Sequence, residues 1–371
     1  MLSSPRNTRR NVLVALLIAT ATYVWIWRDP SGATGPDAPA VLSALPLPAT
    51  PIDPQLPGDS VTTAPTGASG PVQNARVDVA PQEEQATLMA AAGLASSFGR
   101  RAGLHKVKDD LNLSASAALV IDQQSGAVLF RKNAEAVLPI ASLTKLMTAL
   151  VVTEAKLPMD EVITISEDDV DGERHSRSRL RVGTSLSRGE ALHLALMSSE
   201  NRASHALGRS DPRGLTNFVQ AMNRKAKALG MANTVFVDPT GLSNRNRSTA
   251  HDLSLLTAAA SLNPLMSEYS TTPQHELAAS TGRVLRYNNS NRLIKNPQWD
   301  ISLQKTGYIV EAGWCLVMST KIAGHDLLVV LLDAGGKSSR IADAERIRRW
   351  VASQMKVAAG DRADTRRQNP I

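Results

Sequence analysis

Pro139-Ile-Ala-Ser142-Leu-Thr-Lys145-Leu-Met147 introduces an apolar-periodic stretch that reads as a helix from about Ser142 to Ala155. Ser142 falls at or near the helix start, where free N–H groups and the helix dipole favour a developing negative charge. Lys145 follows one turn on and projects from the same face. Alone, this reads as a helix cap and a surface lysine, since Ser302-Leu-Gln-Lys305 and Ser353-Gln-Met-Lys356 share the spacing. Two further strings set it apart. Ser199-Glu-Asn201 lies 57 residues after Ser142, where the apolar helical run Leu192–Met197 gives way to a polar turn, and Lys305-Thr-Gly307 lies 106 residues after Ser199, at the expected opening of a strand.

Each residue type has a use at its position. A lysine deprotonates a serine only while neutral, and burial beside a second cation promotes that form. Lys305 supplies the second cation if the sheet edge runs alongside. Asn201 offers an amide donor to a substrate carbonyl, and Ser199 relays a proton toward a leaving amine. Gly307 lets substrate approach the strand, whose N–H groups pair with a peptide by strand addition, while Lys305 and Thr306 hold a substrate carboxylate. The N–H groups of Ser142 and Tyr308 form the expected oxyanion hole.

Around these strings the pattern is α+β. Ala115–Asp122 and Ala127–Lys132 read as an opening β-hairpin about Gln124-Ser-Gly126. Leu186–Met197 and Leu215–Leu229 read as helices, and Asp238-Pro-Thr-Gly241 as a turn. A strand beginning at Gln304–Lys305, then Trp314–Lys321 and His325–Asp333, precede a closing helix over Arg340–Met355. Strands at both ends with helices between predict one antiparallel sheet, built from both ends of the domain and packed with a helical region.

Outside that region the composition changes. Arg6, Arg9 and Arg10 precede an uncharged run from Val12 to Trp27, closed by Arg28. The run is long for a signal peptide and short for a membrane span. Residues 1–28 are read as an uncleaved signal anchor in the inner membrane, with a cleaved signal peptide as the alternative. Either exports the remainder, so a periplasmic location is expected. Residues 29–100, rich in Pro and Ala for most of their length, read as a disordered linker, with a short helix over Gln82–Phe98. The folded domain is expected over 101–357 and a disordered polar tail over 358–371.

The net charge of +7 is spread along the chain without an aromatic-interleaved basic stripe, which argues against a nucleic-acid partner. Within the basic run Glu173–Arg181, two readings stay open, a rim on the cleft or a solvated loop. The single cysteine, Cys315, excludes an intramolecular disulfide and lies in an apolar run, as a buried small hydrophobe would. No metal or other cofactor is expected. His105-Lys-Val-Lys-Asp109 has a metal-like spacing, but a zinc hydrolase of the cell wall needs a His-x-His pair that none of the seven histidines forms.

The three strings, with Leu194–Ala203, Asp238-Pro-Thr-Gly-Leu-Ser243, Gly313–Met318 and Leu331–Ala334, resemble the low-molecular-mass penicillin-binding proteins. The likeness runs from about Ala117 to Ile347 and is nearest to the D-alanyl-D-alanine endopeptidases of the penicillin-binding protein 7 type. It implies a β-lactamase/transpeptidase-like fold, peptidoglycan stem peptides as substrate, and β-lactams as covalent inhibitors. Ser142 would be the nucleophile and Lys145 the base, with Ser199, Asn201 and Lys305 around them. A class A β-lactamase is disfavoured, because no Glu-x-x-Leu-Asn-like string lies between Asn201 and Lys305. A D-Ala-D-Ala carboxypeptidase uses the same centre but usually carries a further C-terminal β-domain. Only 64 residues follow Gly307, which favours the endopeptidase. A non-hydrolytic β-lactam sensor is the remaining alternative.

Overall fold

A computed structural model describes residues 96–278 and 282–368, all within the unit Ala75–Ile371. The apolar N-terminal segment, the linker before position 96 and nearly all of the helix expected over Gln82–Phe98 lie outside the described residues. No helix among the described residues is long and apolar enough to cross a membrane.

The long apolar runs become one five-stranded antiparallel sheet. Its strands are β1 (Ala117–Asp122), β2 (Val128–Lys132), β9 (Asp300–Ile309), β10 (Gly313–Ile322) and β11 (His325–Ala334), in the spatial order β2-β1-β11-β10-β9. β11, last in sequence, pairs with β1 from Ala117↔Leu332 to Asp122↔Leu327. The sheet is thus built from both ends, as expected.

Between these ends lie six shorter strands: β3 (Leu138–Pro139), β4 (Val162–Thr164), β5 (Ser185–Ser187), β6 (Arg247–Ser248), β7 (Gln274–Ala278) and β8 (Val284–Asn288). They pair as β3–β6, β4–β5 and β7–β8. The helices are α1 (Phe98–Arg101), α2 (Thr144–Glu154), α3 (Arg188–Met197), α4 (Asn201–Arg209), α5 (Leu215–Ala228), α6 (Ala250–Ser261), α7 (Pro264–Thr271) and α8 (Lys337–Gln368).

Strand residues alternate between two cores, because successive side chains leave opposite faces of the sheet. Leu119, Cys315, Val317, Val330 and Leu332 face the helical region, with Leu146, Leu192 and Leu253. Val120, Leu316, Met318, Val329 and Leu331 face α8, whose Ile341, Ala344, Ile347 and Val351 recur at helical spacing. Both faces are covered, so the strands read as unbroken apolar runs.

Three boundaries differ from expectation. The chain is already packed at Phe98, ahead of position 101, where the Phe98 N–H donates to the Glu311 carbonyl at 2.9 Å. β9 begins at Asp300, so Lys305-Thr-Gly307 lies in its second half and does not open it. The expected disordered tail over 358–371 is helical as far as Gln368. Ala and Arg, among the better helix formers, carry α8 beyond the stripe that packs on the sheet.

Candidate active site

Ser142 sits in a 3-10 turn, Ala141–Leu143, that runs into α2. Ala141 before it has φ +48°, a left-handed conformation that non-glycine residues adopt at some cost and that clusters at functional sites. Two glycines crowd this turn. A Cβ on Gly241, itself at φ +82°, would lie 1.9 Å from the Ala141 carbonyl oxygen. A Cβ on Gly307 would lie 3.0 Å from the Ile140 carbonyl oxygen and 3.2 Å from the Ser142 nitrogen. Glycine at 307 is what lets β9 pass this close to Ser142.

The structure brings all three strings together. Lys145 Nζ, fully buried, donates to Ser142 Oγ at 3.0 Å, Asn201 Oδ1 at 2.8 Å and the Thr240 carbonyl at 2.6 Å. Burial pushes this amine down to about 7, although the carboxylates of Asp238 and Glu200 pull the other way. Lys305 Nζ, also fully buried, donates to Ser199 Oγ at 2.9 Å and to the Thr306 carbonyl at 2.9 Å. Burial first, then the charges of Lys145 and Arg340, hold it well below the ordinary lysine value. Ser199, at φ +63°, lies between α3 and α4, and Asn201 is the first residue of α4. Thr306 Oγ1 donates to Ser290 Oγ at 2.8 Å.

Ser142, Ser199, Asn201, Thr306 and Gly307 line a cleft of about 470 Å³, together with Glu173, Arg174, Ser176, Tyr308 and Arg340. β9 is the edge strand of the sheet, and an edge offers a row of main-chain donors and acceptors to an added strand. Tyr308 stacks on Trp314 with ring centroids 4.1 Å apart, and the Arg340 guanidinium lies 5.5 Å from the Trp314 ring centre.

Several supporting residues were not singled out from sequence. Asn201 Nδ2 donates to Ser176 Oγ at 3.0 Å, so the basic run at 173–181 does contribute to the cleft, through Glu173, Arg174 and Ser176. Asp238 Oδ1 accepts the N–H groups of Thr240 and Gly241, at 2.6 and 2.7 Å, and so holds the turn whose carbonyl meets Lys145. Asn246 locks that turn to α2, with Nδ2 donating to Thr144 Oγ1 and to the Asp238 carbonyl, and Oδ1 accepting the Val237 N–H. Arg340 donates to the Cys315 carbonyl at 3.0 Å from α8. Its sequence signal is a cation at the head of the apolar stripe Ala344, Ile347 and Val351. Cys315 itself is buried and its thiol is pushed up to about 12, mainly by burial. Asp109, the second residue of the metal-like spacing, is instead paired with Lys132 Nζ at 2.9 Å.

The arrangement suits acyl transfer by a serine–lysine pair. A buried amine with depressed basicity sits within hydrogen-bond reach of a half-buried serine, and a second lysine–serine pair lies across the cleft.

Comparison with known proteins agrees. The family described as D-alanyl-D-alanine carboxypeptidase, peptidase S11, matches residues 104–336. A D-alanyl-D-alanine endopeptidase of Pseudomonas aeruginosa is 48% identical over 266 residues, covering 71% of this chain and 85% of that protein. One of Escherichia coli is 42% identical over 240 residues, covering 64% and 77%. Among solved structures, the Streptomyces K15 DD-transpeptidase aligns with TM-score 0.59 and 26% identity, over 63% of this chain and 95% of that one. Penicillin-binding protein D2 from Listeria monocytogenes, in its cefotaxime-bound form, aligns with TM-score 0.57 and 31% identity, over 64% and 97%.

Proposed function

Since the chain belongs to the S11 family of serine D-alanyl-D-alanine peptidases and has the fold of the DD-transpeptidases, we propose that it hydrolyses the D-alanyl cross-links of peptidoglycan as an endopeptidase. The observation that carries this reading is the Lys145 amine, held at about 7 and 3.0 Å from Ser142 Oγ, in a chain whose 48%-identical relative is a D-alanyl-D-alanine endopeptidase.

In this reading Ser142 Oγ attacks the carbonyl of the D-alanine that is joined to diaminopimelate, and Lys145 Nζ takes its proton. The N–H groups of Ser142 and Tyr308 hold the oxyanion. Asn201 orients the substrate amide, and Ser199, bonded to Lys305, passes a proton to the leaving amine. Lys305, Thr306 and Gly307 hold the carboxylate side of the substrate against β9. Water then attacks the Ser142 ester, with Lys145 as base. β-Lactams acylate the same serine and leave it blocked. The enzyme works in the periplasm, with residues 1–28 as its signal anchor, 29 to about 95 as a tether and about 96–357 as the peptidase domain.

The test is incubation with cross-linked dimeric muropeptide and with free pentapeptide, followed by chromatography with mass detection. Dimer converted to monomers with pentapeptide untouched is the expected outcome. Loss of one alanine from pentapeptide with dimer intact makes the protein a carboxypeptidase, and stoichiometric penicillin binding with neither cleavage makes it a sensor.

A further inference from the structure

Glu200 stands between Ser199 and Asn201, and no step described above employs it. Its side chain is 8% exposed, and its Oε1 is buried with no hydrogen-bond partner. Five groups from the surrounding elements act on this carboxyl or feel it. They are Lys145 of α2, Arg202 of α4, Ser178 and Arg179 of the 173–181 loop, and Tyr287 of β8. The Ser178 hydroxyl hydrogen-bonds to it. Arg202 Nη1 donates to the Leu180 carbonyl at 2.8 Å, and the Arg179 guanidinium lies 5.2 Å from the Tyr287 ring centre, so both guanidinium groups have other partners. Burial raises the Glu200 pKa above the ordinary 4.5, while Ser178 and the three cations pull it back.

Two carboxylates act on Lys145, those of Asp238 and Glu200. Asp238 is already committed. Its Oδ1 accepts the Thr240 N–H, the Thr240 hydroxyl and the Gly241 N–H at 2.6, 2.6 and 2.7 Å, and its Oδ2 accepts the Ser243 N–H at 3.1 Å. Glu200 has an oxygen to spare. When Lys145 takes the Ser142 proton, a neutral amine becomes an ammonium in a buried site, and the second buried amine, Lys305, opposes the new charge. An opposite charge close by offsets that cost.

Resting on Ser142 as nucleophile and Lys145 as base, we propose that Glu200 is the counter-charge to Lys145 after proton transfer, a positioning residue that acts through the amine without touching substrate. Without this carboxylate, burial and Lys305 weigh more heavily against the ammonium. Lys145 then loses its proton at lower pH and becomes a weaker base for the serine. Acylation should therefore reach half its maximum at lower pH, and its plateau should fall.

The test is stopped-flow acylation of the full chain by fluorescent penicillin across the pH range, for the native protein and three variants. Glu200→Gln and Glu200→Gly remove the charge, and glycine is well accepted at a helix N-cap, the place Glu200 holds on α4. Glu200→Asp keeps the charge. Both neutral variants are expected to lower the midpoint by about one pH unit, and the plateau by about three- to tenfold. Glu200→Asp is expected to stay within about half a unit of the native midpoint. A downward shift smaller than about half a unit in the neutral variants overturns the proposal, even where the rate falls. A loosened helix start slows the reaction without moving the midpoint. A shift of half a unit or more in Glu200→Asp, about as large as that of the neutral variants, overturns it as well. If one neutral variant does not fold, the other gives the reading. Absence of acylation in the native protein overturns the acyl-transfer reading itself. The counter-charge is then read from Lys145 directly, by magnetic resonance titration of isotope-labelled lysine in the native and Glu200→Gln proteins, where equal midpoints overturn it.

Discussion

Lys305 Nζ donates to Ser199 Oγ at 2.9 Å, joining two strings that lie 106 positions apart in sequence. On the other side of the cleft Lys145 holds Ser142, so each serine has its own buried amine. Two ammonium ions in one buried site oppose one another, and the charge of Lys145 adds to burial in lowering Lys305.

Ser142→Ala removes the atom that carries the acyl group in the proposed mechanism. Cleavage is expected to fall by about four orders of magnitude or more, and labelling by fluorescent penicillin to vanish, with thermal unfolding unchanged. A labelled band in this variant contradicts Ser142 as the nucleophile.

Lys145 takes a proton only when neutral, so acylation by penicillin should rise with pH and reach half its maximum near pH 7, where burial holds this amine. Stopped-flow acylation across that range reads the midpoint directly. A midpoint near the ordinary lysine value of 10.5 argues against this assignment.

Gly307→Ala sets a Cβ 3.0 Å from the Ile140 carbonyl oxygen and 3.2 Å from the Ser142 nitrogen. The strand must move off the Ser142 turn, at an overpacking cost of about 1–3 kcal/mol. Acylation should slow by about 10- to 100-fold. The effect belongs to the site if the melting temperature falls much less than the rate implies.

Asn246→Ala strips partners from Thr144 Oγ1, the Asp238 carbonyl and the Val237 N–H in a buried setting. A loss of about 2–4 kcal/mol in urea unfolding is expected. Acylation should also slow, because the turn that presents the Thr240 carbonyl to Lys145 loosens. Unaltered acylation would limit Asn246 to stability.

Asp169 is fully buried, which alone would raise its pKa, but hydrogen bonds from His205, Arg209 and the Ser166 N–H hold it at about 2. Because the folded value lies below the unfolded 3.8, its stabilisation is present above that value and is lost as pH falls toward 2. Asp169→Asn should cost about 2 kcal/mol near neutral pH, and the gap to the native protein should narrow in acid. A gap that stays constant from neutral pH to about pH 3 removes the charge from the explanation.

The central sheet was legible because β1, β10 and β11 are buried on both faces and so read as continuous apolar runs. The three strings were legible through their order. The α4 helix was not, since Asn201-Arg-Ala-Ser-His205 presents mostly polar side chains and only Ala203, Ser204, Ala206, Leu207 and Gly208 are buried. The two-residue ladder of β3 and β6 has no period to detect, yet it aligns the Asn246 turn beside Ser142. Asn246 and Asp238 bond mostly to main-chain N–H and carbonyl groups, which leave no trace in side-chain pattern. The N-terminal half of β9 escaped notice because its outer edge is half exposed and polar residues interrupt it.

The pairing of β1 with β11 has a kinetic consequence. A chain that emerges N-terminus first presents β1 and the Ser142 turn early, but the strand that sits between β1 and β10 emerges last. High contact order of this kind delays closure of the core. Lys305 cannot meet Ser199 until 163 further residues (305 − 142) have emerged after Ser142, on the order of ten seconds at typical synthesis rates. A wall-cutting activity therefore stays off in every partly emerged chain. The order of strands acts as a timer that needs no inhibitor.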